Sequence, residues 1–261
     1  TWTTGALPDV IRDFAEPGGV VDFQVSGDPE RTDGFTILAP GGVALLEYLD
    51  LRHLVGLDPW GQVVWYHPHL DRQTGPGELV DDGRHLGILG LGKVDVFDWS
   101  GEAVRTVKNA SGDHDFAQLP NGDMINTQTW RVELPTSRFG ETTQVISSKI
   151  TQNPLDGGAD AWEWYAHEHL DTEYYPGDLS STVQGDGYRD WLHHNSIVHV
   201  PDEGFLMISY RNVSWVAAVS HPGGELLWTL GENGDFQETA QTADGCRFSV
   251  TVLLVIHHQA A

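Results

Sequence analysis

Apolar and polar residues alternate along this chain in short runs, without the three-to-four-residue rhythm of an amphipathic helix. Gly34 to Leu38, Lys93 to Phe97, Asp123 to Thr127, Gln144 to Ile150 and Phe205 to Ser209 each read as a strand, because β-branched or alternating positions end at turn residues. Asn121-Gly122 predicts a hairpin turn, since both residues tolerate positive φ. Pro201 to Gly204 predicts another. The longest apolar run, Val250 to Ile256, is strand-sized and well below the ~18 residues of a membrane helix. The pattern predicts an all-β fold with no membrane span.

One motif recurs four times: a turn with glycine, then an apolar stretch that reaches a large residue four positions later. The copies are LDPWGQVVW (57–65), FDWSGEAVR (97–105), PLDGGADAW (154–162) and VSHPGGELLW (219–228). Measured from Gly61, Gly101, Gly158 and Gly224, the intervals are 40, 57 and 66 residues. Such periods belong to repeat architectures, and blade-sized repeats favour a β-propeller over a sandwich. Trp65, Trp162 and Trp228 then pack between neighbouring sheets. A four-stranded blade takes roughly 40 to 50 residues, so about five can be placed and a ring of six is cramped. The expectation is one propeller domain over 1–261, either cut short at its C-terminus or containing minimal blades.

Composition narrows the function. The chain has 38 acidic and 14 basic side chains, a formal charge of -24 with histidine neutral, which excludes an ordinary nucleic-acid binder because phosphate affinity needs clustered Lys and Arg. Three lysines stand against 24 aspartates. Such an excess keeps a protein soluble and is tolerable where salt screens its self-repulsion. It fits a halophilic habitat, an extracytoplasmic (periplasmic or secreted) location, or simply an acidic bacterial protein. Ten tryptophans and 39% hydrophobic residues suffice for a substantial core. The single cysteine, Cys246, precludes an internal disulfide and a cysteine-based zinc site within one chain.

Thirteen histidines are the main chemical resource. His67 with His69, and His167 with His169, are spaced by two. On a strand either pair would share a face and could ligate a metal; the alternative is a polar strand end or loop, since no third ligand has diagnostic spacing. His114 precedes the Asn121-Gly122 turn and heads a strand, either as a structural residue or facing a central channel. The densest stretch, 190–211, offers His193, His194, Asn195 and, across a hairpin, Arg211. Strand alternation would send His193 and Asn195 to one side and His194 to the other. An imidazole, an amide and a guanidinium converging there would bind an oxyanion; the alternative is a surface arginine paired with a carboxylate.

Asp-Trp-Ser-Gly-Glu-Ala-Val and His-Asp-Phe-x-x-Leu-Pro-Asn-Gly (98–122), then Trp-Glu-Trp-x-x-x-x-His-Leu-Asp (162–171), make the chain similar to the nucleotide-independent aryl-sulfate sulfotransferases. The resemblance continues through Asp-Trp-Leu-His-His-Asn-Ser-Ile (190–197), Ile-Ser-Tyr-Arg-Asn (208–212) and Leu-Leu-Trp-Thr-Leu-Gly-Glu-Asn-Gly-Asp-Phe (226–236), covering roughly residues 34 to 236. It implies a six-bladed propeller with its active site at the central channel. It also implies sulfuryl transfer from an aryl sulfate donor to a phenolic acceptor through a transient sulfohistidine, without a nucleotide donor or other cofactor. By matching motif, His114 is a channel histidine, His193 and Asn195 form the His-x-Asn pair, and Arg211 binds sulfate. The family's nucleophilic histidine follows the Gly-Asp-Phe segment in a Gln-His pair. Here His257 and His258 follow it, so the resemblance points to one of these two. Asp113 stands where many members have the first histidine of a pair.

The mechanism expected from these residues is nucleophilic catalysis by a neutral imidazole, with Arg211 and Asn195 holding the sulfonate oxygens and His114 or His193 moving the phenol proton. Two rivals stand beside it: a non-catalytic extracellular binding or structural propeller, and a metal-dependent hydrolase using the His-x-His pairs.

Overall fold

A computed structural model describes residues 36–38, 53–60, 62–68, 77–90, 92–108, 110, 112, 114–136, 140–174, 187–231 and 234–235. They form antiparallel sheets, and the one helical turn among them is a 3-10 turn at Ala166–Glu168. The first sheet orders Thr36–Leu38 (β1), His53–Leu57 (β2) and Val63–Pro68 (β3) side by side. In the second, Gly77–Val80 (β4), His85–Gly90 (β5), Lys93–Phe97 (β6) and Ala103–Lys108 (β7) follow one another. The third runs through Phe116–Gln118 (β8), Met124–Thr136 (β9), Gly140–Asn153 (β10) and Trp162–Tyr165 (β11), and Arg189–Asp190 (β12) joins β10 in parallel. The fourth comprises His194–Val200 (β13), Phe205–Tyr210 (β14), Trp215–Ser220 (β15) and Leu226–Leu230 (β16).

Each sheet is an up-and-down meander, the blade of a propeller fold, as the turn spacing predicts. β14 shows why the chain folds so: its burial alternates, with Leu206, Ile208 and Tyr210 inside. β5 and β15 are buried on both faces, the mark of strands sandwiched between neighbouring sheets. The core consists of layers between consecutive sheets. Leu86, Ile88 and Phe97 pack with Trp65 from the first sheet. Val80, Leu89, Val94, Val96 and Val107 meet Phe116 and Met124 of the third. A larger cluster joins Ile125, Ile150 and Trp164 to Ile197, Leu206, Ile208 and Val219 of the fourth.

The repeated motif is the fastening between sheets. In two copies an aspartate closes the turn: Asp58 Oδ1 accepts from the Trp60 and Gln62 amides at 2.9 and 2.8 Å, and Asp98 Oδ1 accepts from those of Ser100 and Glu102 at 2.8 and 3.0 Å. Gly101 (φ 88°) and Gly224 (φ 78°) take the left-handed conformation that their turns require. In the third copy that conformation falls on Gly157 (φ 75°), one residue before Gly158. The tryptophans reach across: Trp65 Nε1 donates to Trp99 O at 3.2 Å, and Trp162 Nε1 to Pro222 O at 3.0 Å. Trp65, Trp162 and Trp228 are half-buried, since each lies at a boundary between sheets or on an outer strand.

β4, β8 and β13, the first strands of three successive sheets, touch in sequence, β4 with β8 and β8 with β13. Glu78 on β4 lies within electrostatic reach of Asp115, just ahead of β8, and Asp115 accepts from the Ile197 amide of β13, so the starts of the three strands share one rim.

Candidate functional site

His114 is exposed two residues ahead of β8. The next residue, Asp115, fastens the rim: one carboxylate oxygen accepts from the Phe116 amide and the other from the Ile197 amide on β13, each at 2.9 Å. Burial pushes the Asp115 carboxyl up to about 6 against the opposing pull of those two amides. Glu78, on β4, reaches solvent but is crowded by protein. Burial, and next the charge of Asp115, raise it to about 7. Two carboxyl groups near the starts of β4 and β8, one of them in the residue after His114, thus titrate near neutrality, the range in which groups that exchange protons at neutral pH are most effective.

The second half of the site comes from the segment leading into β13. His193 is left-handed (φ 51°), so it does not take part in strand alternation, and the expected split of His193 from His194 does not hold. Both rings lie against His114, with centroids 5.2 Å (His193) and 5.8 Å (His194) away. His194 is buried and opens β13. Asn195 is exposed at a break in register between the His194–Tyr210 and Ser196–Ser209 pairs, an irregularity that re-aims neighbouring side chains. His193 Nδ1 contacts the carboxylate of Asp190, a buried residue.

Arg211 is not the last residue of β14 but the first of the following turn, and it is exposed. Its backbone is tied to the cluster, with Arg211 N donating to His193 O at 3.0 Å. Its guanidinium Nε donates to Asn212 Oδ1 at 3.2 Å. Asn212 braces the same segment: its amide N donates to Leu192 O at 3.1 Å and its side chain to Asp190 O at 2.7 Å.

The spaced histidine pairs fare differently. His67 is buried, its ring 4.4 Å from Phe97 and beside the Gly101 turn. His167 and His169 lie in and just after the 3-10 turn rather than on a strand. His169 stacks on Trp164 at 4.9 Å, while His167 meets the edge of Tyr165. Among the described residues no three His, Cys, Asp or Glu side chains group to hold a metal ion. His69, Asp113, Cys246, His257 and His258 lie outside the described residues.

Three carboxylates join the site that the sequence did not single out. Asp115 and Asp190 stand one and three residues from His114 and His193, so a carboxylate beside each histidine was the available signal. Glu78 had none, because only the packing of β4 on β8 brings it there.

The family model described as Arylsulfotransferase (ASST) matches residues 27–243 of the chain. No curated protein matches it. Among solved structures, similarity extends to a Bacteroides caccae protein of unknown function at 9% identity, covering 69% of each chain with a TM-score of 0.32. A second is Myxococcus xanthus glutaminyl cyclase, at 16% identity over 68% of this chain and 61% of that one, TM-score 0.34. A third is Kuenenia stuttgartiensis hydrazine synthase, at 16% identity over 64% of this chain and 46% of that one, TM-score 0.35.

Proposed function

The chain belongs to the arylsulfotransferase (ASST) family, and from that premise we propose that it moves a sulfuryl group from a phenolic sulfate ester to a phenol through a sulfohistidine. The observation that carries the reading is the convergence of the His114, His193 and His194 rings. Sulfuryl transfer needs a nucleophile, a place for charge on the sulfonate oxygens and a proton for the departing phenolate. In this reading His257 or His258 attacks sulfur, Arg211 and Asn195 bind the sulfonate oxygens, and His114 or His193 moves the proton. Arg211 takes up that role by turning from Asn212 toward the rim from a backbone already bonded to His193. The reaction is ping-pong, with one phenol leaving before the next enters. A single propeller domain outside the cytoplasm is part of the same proposal, supported by the acidic composition. Among the described residues no helix is long and apolar enough to cross a membrane.

A second reading, a propeller that binds without catalysis, is favoured by one observation, the engagement of Arg211 with its own turn. Mass spectrometry of the protein after brief exposure to p-nitrophenyl sulfate separates the two. One added sulfuryl group on His257 or His258, lost on adding phenol, is the expected result. An adduct on His114 or His193 keeps the chemistry and reassigns the nucleophile. No adduct at any salt concentration leaves the binding propeller.

A further inference from the structure

We propose that Asp190 is a positioning residue that holds His193 in its Nδ1–H form, leaving Nε2 as the nitrogen that trades a proton with the phenol oxygen. The inference rests on the sulfuryl-transfer reading and deepens it, because it selects His193 over His114 for the proton and names the group that makes the choice.

Asp190 is only 6% exposed, and it is fixed from three directions. β12 pairs with β10 at Val145 and Ile146, the Trp191 amide donates to Ile146 O at 3.1 Å, and Asn212 Nδ2 donates to Asp190 O at 2.7 Å. In an extended chain Asp190 and His193, three residues apart, would point to opposite faces. The left-handed backbone of His193 turns the ring back onto the carboxylate. That conformation is uncommon for a residue with a Cβ and persists where the surroundings enforce it. Here the bonds from Arg211 N to His193 O and from Asn212 N to Leu192 O do so. An ionised carboxylate only accepts, so the ring nitrogen facing it carries a hydrogen. The two ring nitrogens point in divergent directions, and with Nδ1 engaged, Nε2 is left for the rim that His114 shares.

The proton count closes over the two half-reactions. In the first, a nitrogen–sulfur bond forms at the nucleophilic histidine while the sulfur–oxygen bond to the donor breaks. The Nε2 proton of cationic His193 passes to the leaving phenolate, and His193 remains neutral with Nδ1–H on Asp190. In the second, the acceptor phenol gives its proton to Nε2 as its oxygen bonds to sulfur and the nitrogen–sulfur bond breaks. Nδ1–H is kept throughout, the role of an orienting carboxylate behind a catalytic imidazole.

The test uses the full chain labelled with 15N-histidine. Two-bond proton–nitrogen spectra, with His193 identified by its loss in H193Q, read which ring nitrogen is protonated. With the His193 ring in its neutral form, Nδ1–H in the wild type, weakened in D190N, is expected; a neutral ring that carries its proton on Nε2 instead overturns the proposal, and this reading stands even where D190N does not fold. Kinetics supply the second arm. D190N should lower kcat/KM for phenyl sulfate by ~100-fold or more, and for p-nitrophenyl sulfate, whose leaving group needs little protonation, by less than ~10-fold. Equal losses on the two donors indicate a structural role and overturn it. Should the wild type transfer nothing from either donor, the sulfuryl-transfer reading fails by itself, and the spectra still decide the state of His193.

Discussion

Trp164 on β11 donates its indole N–H to the carbonyl of Gly224, 3.0 Å away in the turn before β16, so the outer strand of the third sheet is bonded to the fourth. Trp164 is 2% exposed, and its ring fills the layer that joins the two sheets. W164F keeps most of the apolar ring but leaves a partly buried carbonyl without its donor. The expected loss is ~1–3 kcal/mol of unfolding free energy, measured by urea denaturation. A loss within error would mean that the bond contributes nothing and that the ring alone holds the joint.

Glu78 and Asp115 make stability depend on pH in a defined direction. Both are raised above their ordinary values of 4.5 and 3.8, to about 7 and about 6. The folded protein therefore holds these protons more tightly than the unfolded chain, and stability declines as pH rises from about 4 to about 7. E78Q removes one of the two groups. Its melting temperature should exceed that of the wild type at pH 8 and approach it at pH 4.5. Parallel pH curves for the two proteins would contradict the assignment.

Asp81 acts in the opposite sense. Arg105 donates to both its carboxylate oxygens at 2.7 and 2.8 Å, Gln118 Nε2 donates to it at 3.0 Å, and His85 Nδ1 lies 2.6 Å away. These partners, Arg105 foremost, hold its carboxyl well below the usual carboxylate range. Its contribution is present above the ordinary value of 3.8 and is lost as pH falls further. Asparagine tolerates the left-handed backbone at this position (φ 53°), so D81N removes the charge and keeps the turn. It should cost ~1–3 kcal/mol at pH 7 and flatten the acid limb of the stability curve.

The net charge of -24 repels an anionic aryl sulfate at a distance. Raising ionic strength from 0.01 to 0.15 M contracts the screening length from ~30 to ~8 Å. The rate constant kcat/KM for p-nitrophenyl sulfate should rise over that interval, with kcat little changed. A steady fall would show that local positive charge at the site, rather than the overall field, governs capture.

Much of the architecture was legible because turns are local chemistry. Lys93–Phe97 runs as the alternation predicts, and the Asn121-Gly122 and Pro201–Gly204 turns are in place, with Gly122 and Gly204 left-handed. The long hairpin of the third sheet was legible only in part: Gln144 to Ile150 lies within β10, Gly140–Asn153. Asp123 to Thr127 is the visible part of a strand that runs from Met124 to Thr136, because its packing uses polar side chains that carry no apolar rhythm. Asn126 bonds to Asn153, Thr151 Oγ1 donates to Asn126 Oδ1 at 3.1 Å, and Gln128 Nε2 donates to Thr151 Oγ1 at 2.8 Å. At the rim the histidines were legible as residues, but their directions were not. A left-handed residue at 193 and a register break at 195 override period-two alternation, and neither is encoded by glycine or proline.

The sockets that receive Trp65, Trp162 and Trp164 are backbone carbonyls, of Trp99, Pro222 and Gly224. A carbonyl is present whatever side chain stands there, so the joint asks for an indole on one sheet and a turn of fixed shape on the next, and little else. Sheets fastened by such a coupling are interchangeable parts. A gene can duplicate, delete or exchange one of them without having to invent a new interface, and the number of sheets is then free to drift while the rim chemistry is kept.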